Sequence, residues 1–149
     1  MKLSTKGRYG VRAMYELALG FGSGPLSVKE IAGRQGVPEA YLEQLVAPLR
    51  RAGLVKSIRG AQGGYELAKP PDEISAYAII TALEGPTAPA NCVLDEEQCE
   101  NSMNCAMHSL WQRIHDGVND VLLSITLQDL LKDASPAALC AEESQKLGV

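Results

Sequence analysis

The feature that most constrains the fold is a glycine between two amphipathic segments, in the stretch SVKEIAGRQGVPEAYLEQLVAPLRRAG. Ser27 and Glu30 have the spacing of a capping box, so a short helix is expected to begin there and to end at Gly36. Pro38 favours the first position of a second helix, which Pro48 is expected to kink or to interrupt. Two helices joined by about three residues around a glycine, the second somewhat longer, describe a helix-turn-helix.

A β-hairpin is predicted directly after the second helix. Residues 54–59 and 65–67 have the composition of two strands, and Gly60, Gly63 and Gly64 lie between them. Helix, turn, helix and hairpin together make a winged helix, a fold that is mainly α with a small β-hairpin wing. The alternative, an incidental helical hairpin in a protein that never binds DNA, stays open on these residues alone.

Further helices are predicted on both sides of this unit. Residues 7–21 have apolar residues at helical intervals and a basic first turn, and residues 74–85 predict another helix. Residues 106–127 carry one continuous apolar seam, followed by a short helix in TLQDLL. The seam consists of Met107, Leu110, Trp111, Ile114, Val118, Val121, Leu122 and Ile125. Because a winged helix offers too little surface to cover it, we expect a homodimer; packing within the same chain is the alternative.

The chain has 149 residues, the size of one ordinary domain. We expect a winged helix-turn-helix DNA-binding region over residues 1–70, a region of helix, cysteine loop and long dimerisation helix over 71–133, and a flexible tail over 134–149. A signal peptide and an apolar run of about 18 residues are both lacking, so a cytoplasmic protein without membrane contact is expected. The glycine-rich wing lacks the Lys-Ser/Thr of a phosphate-binding loop, and no nucleophile with an orienting base is evident, so an enzyme is not expected.

Charge is divided unevenly along the chain. Residues 1–60 hold ten Lys and Arg against four Asp and Glu, whereas the remainder holds four against fourteen. A basic half on a chain of net charge −4 indicates a polyanionic partner for that half, with an ordinary solvated surface as the alternative.

Double-stranded DNA is the partner that this fold and charge favour. Phosphate contacts would supply affinity and base contacts would supply sequence choice. The candidates for phosphate contact are Lys2, Lys6, Arg8, Arg50, Arg51 and Lys56. The candidates on the second helix, near the end expected to enter the major groove, are Glu39, Ala40, Tyr41, Glu43 and Gln44. Gln44 can bond adenine and Glu43 can accept from cytosine. Arg59 and Gly60 at the wing and Ser27 at the start of the first helix complete the set.

Three of the four cysteines lie in one acidic stretch, NCVLDEEQCENSMNCAMH. Cys105 and His108 are one helical turn apart, so both can reach one site. Thiolates hold iron–sulfur clusters from loops, and an imidazole can replace one of them. Zinc also accepts three thiolates and an imidazole, but gaps of six and five residues fit structural zinc poorly. Redox-active or inert thiols are the third alternative, and Cys140 in the tail is expected to be a spare thiol.

Several motifs closely resemble the Rrf2 family of bacterial winged-helix transcription regulators. They are LSTKGRYGVRAM, YLEQLVAPLRRAGLVKSIRGAQGGYEL and ITALEGP, and the similarity runs from about residue 1 to residue 131. The wing signature, Leu-Val-x-Ser-x-Arg-Gly followed by Gly-Gly-Tyr, is specific. The resemblance implies a homodimer that crosses long helices and reads pseudo-palindromic DNA.

Branches of this family differ in their cysteines. The resemblance to the branch that regulates iron–sulfur cluster assembly implies a [2Fe–2S] cluster on Cys92, Cys99, Cys105 and His108. Six residues separate the first two cysteines here, where the best-known pattern has five. The nitric-oxide-sensing branch takes an acidic ligand from a position that is Arg8 here, and arginine cannot bind iron. VAPLRRAGLVKSIRGA also resembles the cysteine-metabolism branch, whose members lack the loop cysteines.

The expected function is therefore an iron–sulfur cluster-sensing DNA-binding regulator, a repressor of iron–sulfur biogenesis or of sulfur and cysteine metabolism genes. The first alternative is a cluster-free cysteine-metabolism repressor controlled by a protein partner. A cluster-donor or cysteine-synthesis protein is accordingly a possible partner. The second alternative is a zinc-stabilised interaction module.

Overall fold

The computed structural model describes residues 3–86, 88–99 and 104–133. The α-helices are α1 Thr5–Leu19, α2 Val28–Gln35, α3 Glu39–Arg51, α4 Ala76–Glu84, α5 Asn91–Leu94, α6 Ala106–Ser124 and α7 Leu127–Asp133. Two strands, β1 Val55–Ile58 and β2 Gly64–Leu67, form the hairpin, and 3-10 turns occupy Pro71–Glu73 and Glu96–Gln98. The predicted tail, residues 134–149, lies outside the described residues. None of the helices in the described part is both long enough and apolar enough to span a membrane.

The predicted capping box of α2 is confirmed. Ser27 Oγ accepts from the Glu30 backbone N–H at 3.1 Å, and a Glu30 carboxylate oxygen accepts from the Ser27 N–H at 2.8 Å. These bonds favour the ionised carboxylate, so the pKa of Glu30 lies below its ordinary value. Gly36 ends the helix with φ 63° and ψ 32°, the left-handed conformation that glycine adopts without strain.

Helix α3, the second helix of the helix-turn-helix, differs slightly from its prediction at both prolines. Pro38 stands immediately before α3 rather than within its first turn, since its ψ of 133° is extended. Pro48 does not interrupt the helix, which continues through it to Arg51. Its missing N–H removes the one backbone hydrogen bond that a residue at this position would donate to the carbonyl of Gln44, four residues earlier.

The wing is a two-stranded antiparallel hairpin that is also joined to α2. Val55 pairs with Leu67 and Ile58 pairs with Gly64. On the other edge of β2, Leu26 and Tyr65 exchange backbone hydrogen bonds of 2.9 and 2.8 Å. Leu26 directly precedes the cap of α2, so the wing and the helix-turn-helix are held together by backbone bonds.

One apolar core joins the winged helix to the segments that follow it. Met14 from α1, Ile31 from α2 and Leu45 from α3 are fully buried together with Ile79 from α4 and Leu127 from α7. Burial of this apolar surface is the main term that stabilises the fold. The two regions expected from the sequence, 1–70 and 71–133, therefore share a single core.

The long helix α6 ends earlier than predicted because its last residues bond elsewhere. Ile125 is extended, with φ −103° and ψ 121°, and its carbonyl accepts from the Ala76 N–H at 2.8 Å. Thr126 then starts α7: its N–H and Oγ1 each donate to an Asp129 carboxylate oxygen at 2.9 Å. The bond from the Thr126 N–H is the main reason that the pKa of Asp129 lies below its ordinary value.

The predicted apolar seam of α6 divides between two faces. Trp111, Val118 and Leu122 are half-buried, and Leu122 lines a small cavity with Tyr77 and Thr81 of α4, whereas a second row is exposed. The exposed row, here called the α6 face, consists of Met107, Leu110, Ile114 and Val121. Beside it lies an open groove of ≈ 450 Å³ lined by Arg113, Ile114, Gly117, Val118, Val121 and Leu122.

Candidate DNA interface and cysteine loop

Helix α3, the recognition helix that is expected to enter the major groove, buries one side and exposes the other. Leu42, Leu45 and Leu49 are almost fully inaccessible. The exposed side near its beginning carries four of the candidate residues: Glu39, Ala40, Glu43 and Gln44. Tyr41 is half-buried beneath them because its ring packs on α1. The exposed side chains thus form a polar surface of the kind that can read base edges in a major groove.

A polar network joins α1 to the end of α2. Arg12 Nε donates to Gln35 Oε1 at 2.9 Å and Arg12 Nη2 to the Gln35 carbonyl at 3.1 Å. Gln35 Nε2 donates in turn to Glu16 Oε1 at 2.6 Å, and Arg34 lies 3.5 Å from Glu16 Oε2. Glu16 is only 8 % exposed, so these donors satisfy a carboxylate that would otherwise be costly to bury. The end of α2, directly before the turn to α3, is therefore tied to α1 by several polar contacts.

The candidate cations lie in three separate places. Lys6 and Arg8 are exposed at the beginning of α1, and Arg59 is exposed with Gly60 at the wing tip. Arg50 and Arg51 are exposed in the last turn of α3. They stand about 16 Å from its beginning at 1.5 Å per residue, so they lie well away from Glu39 and its neighbours. Lys2 lies outside the described residues.

Two other candidate polar groups already have partners within the protein. The Ser27 hydroxyl accepts from the Glu30 N–H as a helix cap, which uses one of its two lone pairs. Lys56 on β1 forms a 3.0 Å ion pair with Glu66 on β2. Both groups therefore have structural roles within the domain.

The beginning of α1 is tied to α4 by a carboxylate that sequence reasoning did not identify. Glu84 Oε1 accepts from the Ser4 backbone N–H at 3.0 Å and also from the Ser4 hydroxyl. Ser4 Oγ in turn accepts from the Gly7 N–H at 3.2 Å and caps the helix. Ser4 and Glu84 are eighty residues apart in the chain, so no local pattern could have linked them.

The candidate metal ligands follow one another along the loop and into α6. Cys92 lies in α5, Cys99 follows the second 3-10 turn and Cys105 directly precedes α6. All three are free, half-buried thiols. The His108 N–H donates to the Cys105 carbonyl at 3.1 Å, so these two residues share the first turn of the helix. Within the described ranges, no three His, Cys, Asp or Glu side chains are close enough together to hold a metal ion.

The donor chemistry of these residues nevertheless fits a [2Fe–2S] cluster. Nδ1 of His108 is buried and has no hydrogen-bond partner among the residues that the structure describes. A buried imidazole nitrogen without a partner is unfavourable unless something else bonds it. Three thiols and one such nitrogen are the ligand types that a cluster with mixed coordination uses.

A second histidine lies between α4 and α6. His115 Nε2 is 3.0 Å from Asn119 Nδ2, and its Nδ1 is buried without a partner in the described part of the chain. Both residues line a cavity of ≈ 80 Å³ together with Tyr77 and Thr81 of α4 and Leu94 of α5. The cavity marks where the cysteine loop meets the helices around it.

The three-helix core, the hairpin and the exposed polar side of α3 define a winged helix-turn-helix, a fold that is typical of DNA-binding proteins. Residues 3–133 match the model of the Rrf2 family, described as an iron-dependent transcriptional regulator. The chain belongs to the Rrf2 family. It is a transcriptional regulator and not an enzyme, as the sequence predicted.

Similar proteins come from both branches that the sequence resembles. The HTH-type transcriptional regulator CymR of Bacillus subtilis is 55 % identical over 130 residues, which cover 87 % of this chain and 89 % of that protein. The structure of CymR, the global cysteine regulator of B. subtilis, superposes with a TM-score of 0.77 at 52 % identity, covering 91 % of this chain and 99 % of that one. The structure of T. potens IscR gives a TM-score of 0.75 at 50 % identity, covering 92 % and 90 %.

Proposed function

We propose that this regulator senses an iron–sulfur cluster held by Cys92, Cys99, Cys105 and His108, and that it represses genes of iron–sulfur biogenesis or of sulfur and cysteine metabolism. The observation that carries the proposal is the buried, unpartnered Nδ1 of His108, one turn after a free thiol. When bound, such a cluster supplies a redox-active centre whose loading depends on iron and sulfide.

The residues around the ligands have distinct roles in this proposal. Asp95, Glu96 and Glu97 are exposed and keep the loop solvated and away from DNA phosphates. Cys105 and His108 attach the site to the start of α6, and α5, which carries Cys92, packs on the same helix. A change in ligation would therefore act on α6 directly, and α6 carries the exposed apolar face that a second subunit would cover.

For DNA contact we propose two groups of residues. Lys6, Arg8 and Arg59 would bind phosphates, and the exposed residues of α3 would read bases. Arg50 and Arg51 would contact phosphates farther along the duplex. Two copies related by a twofold axis through the α6 face would present two recognition helices to the two halves of a pseudo-palindromic operator.

The cluster is tested by anaerobic purification, followed by reconstitution with iron and sulfide. The expected result is a brown protein with two irons and two sulfides per chain, and a visible absorption spectrum. Cys92→Ala, Cys99→Ala and Cys105→Ala should lose the iron, and His108→Ala should shift the spectrum or lower the iron content. Cys140→Ala is the matched control, since this thiol is outside the proposed set. A colourless, iron-free wild type after reconstitution would reject the proposal.

A second candidate is a cluster-free repressor of cysteine metabolism controlled by a protein partner. It is favoured by the 55 % identity to CymR and by the 52 % identity to its structure, that of the global cysteine regulator of B. subtilis. The same experiment distinguishes the two candidates. A colourless protein that binds DNA without iron, and whose affinity changes on adding a cysteine-synthesis enzyme, would support the second.

A further inference from the structure

Glu84, the last residue of α4, accepts hydrogen bonds from Ser4, near the beginning of the described chain. One carboxylate oxygen accepts both the backbone N–H and the hydroxyl proton of Ser4, which is the N-cap of α1. The Ser4 hydroxyl oxygen accepts in turn from the Gly7 N–H. Glu84 thus fixes the capping residue, and the capping residue fixes the first turn of the helix.

Two glycines of α1 make this contact possible. A Cβ on Gly7 would come within 2.5 Å of Glu84 Oε1, and a Cβ on Gly10 would overlap the Leu83 side chain. Both glycines are buried in the contact between α1 and α4, which is the most extensive contact between two helices in the described part. The last turn of α4 therefore lies directly on the α1 backbone, and the position of Glu84 determines the position of the first turn.

That first turn carries the two candidate cations. Lys6 and Arg8 flank Gly7 and are exposed to solvent. Long cationic side chains contribute to DNA affinity by contacting phosphates and releasing counterions. A frayed first turn would leave both cations on a mobile terminus. The entropy cost of ordering that turn on DNA would then reduce the binding free energy.

We propose that Glu84 is a positioning residue for DNA binding: its carboxylate holds the first turn of α1 so that Lys6 and Arg8 face the phosphate backbone. The inference rests on the proposed DNA contacts of Lys6 and Arg8. Glu84 itself does not touch DNA in this arrangement.

A positioning role and simple charge repulsion predict opposite changes in DNA affinity when the Glu84 carboxylate is removed. A negative charge close to a phosphate-binding surface opposes DNA, so removing it should tighten binding if charge were all that mattered. Removing a positioning carboxylate should weaken binding instead. Glu84→Ala removes both the charge and the acceptor, whereas Glu84→Gln removes the charge and keeps an oxygen that can accept from Ser4.

The experiment measures binding of the full chain to a duplex DNA of random sequence at several salt concentrations, because phosphate contacts do not depend on sequence. Glu84→Ala should weaken binding by about 3- to 10-fold and reduce the slope of log K against log salt by about one to two, the value for one or two lost cation–phosphate contacts. Glu84→Gln should retain most of the affinity. Glu73→Ala, which removes an exposed carboxylate from another element, should bind at least as tightly as wild type.

The salt slope separates positioning from loss of folded protein. A variant that is merely less folded loses apparent affinity equally at every salt concentration, so an unchanged slope in Glu84→Ala would overturn the inference. Tighter binding by Glu84→Ala would also overturn it, in favour of simple charge repulsion. Ser4→Ala removes the hydroxyl that donates to Glu84 and that caps the Gly7 N–H, so it should weaken binding and lower the slope in the same direction as Glu84→Ala.

A double variant, Lys6→Ala with Arg8→Ala, distinguishes failure of the inference from failure of the proposed contacts. If it binds with wild-type affinity and slope, the proposed phosphate contacts are wrong and the inference falls with them. If it loses affinity and slope while Glu84→Ala does not, the inference alone is wrong. If both are weakened, adding Glu84→Ala to the double variant should have almost no further effect, because the cations that Glu84 positions are already absent.

Discussion

Tyr9 on α1 and Tyr41 on α3 pack edge to face, with ring centroids 5.8 Å apart and ring planes at 80°. The Arg12 guanidinium carbon lies 5.6 Å from the Tyr9 centroid, and Arg12 also donates to Gln35 at the end of α2. One helix therefore contacts both members of the helix-turn-helix. The orientation of α3, and so of Glu43 and Gln44, depends on contacts with α1 as well as on the turn.

The Tyr9–Tyr41 contact should be measurable as stability. Tyr9→Leu removes the ring pair and the ring beneath Arg12, so the free energy of unfolding should fall by about 1 kcal/mol beyond the change in buried area. Chemical denaturation followed by circular dichroism gives the value. Tyr9→Phe keeps the ring and is the matched control. A Tyr9→Leu variant as stable as Tyr9→Phe would mean that the ring contact contributes nothing.

Two glycines of the helix-turn-helix should respond to alanine in opposite directions. Gly36 has φ +63°, a left-handed conformation that disfavours a side chain, so Gly36→Ala should destabilise the protein by about 1–2 kcal/mol. Gly33 lies inside α2 with open space around it, so Gly33→Ala should stabilise the protein by about 0.5–1 kcal/mol. Thermal unfolding of the two variants beside wild type tests the pair. Changes of the same sign would contradict the assigned backbone conformations.

The contact between Gly10 and Leu83 should show strong coupling. Gly10→Ala places a methyl group into the Leu83 side chain and should cost about 1–3 kcal/mol of unfolding free energy. Leu83→Ala alone should also destabilise, since Leu83 is only 5 % exposed. Together they should cost clearly less than the sum, because the shortened side chain leaves room for the new methyl group. Additivity within about 0.5 kcal/mol in a double-mutant cycle would show that the helices do not pack as described.

Local patterns in the sequence predicted most of the fold. The capping box at Ser27, the stop at Gly36 and the hairpin depend on residues within a few positions of one another, and the structure has all three. The interruption expected at Pro48 is absent, since the helix continues for three residues beyond it at the cost of one backbone hydrogen bond. Hydrophobic periodicity correctly placed the long helix but treated its seam as one face.

Contacts between distant segments could not be predicted in this way. Periodicity identifies the apolar residues of α6 but not which of them α4 covers. The bond between Ser4 and Glu84, the network around Glu16 and the pairing of Leu26 with Tyr65 all join residues far apart in the chain. The four candidate cluster ligands come from spacing and from family resemblance, and they remain a proposal for the same reason.

Lowering the pH should remove the stability that the Asp129 carboxylate contributes at the start of α7. Hydrogen bonds from Thr126 hold the pKa of this carboxyl below its ordinary value of about 4. The stability that these bonds contribute is therefore fully present above about pH 4, and it is lost as the pH falls through the lower pKa of the folded state. Asp129→Asn should therefore be less stable than wild type at neutral pH, and the difference should shrink as the pH is lowered below about 4. Urea denaturation across this range measures it. Asp120→Asn, on the exposed side of α6, is the control, and a difference between Asp129→Asn and wild type that does not depend on pH would contradict the assignment.

The α6 face should control the oligomeric state. Val121 is 56 % exposed in a single chain and lies on this face, whereas Leu123, 53 % exposed, points about 180° away from Ile114 at 100° per residue. Val121→Glu would bury an unpaired charge in the proposed dimer, which should cost roughly 3 kcal/mol and raise the dimer dissociation constant by roughly 100-fold. Leu123→Glu adds the same charge to the same helix and should leave the dimer unchanged. Sedimentation velocity over a range of concentrations tests both, and equal behaviour of the two variants would place the dimer contact elsewhere.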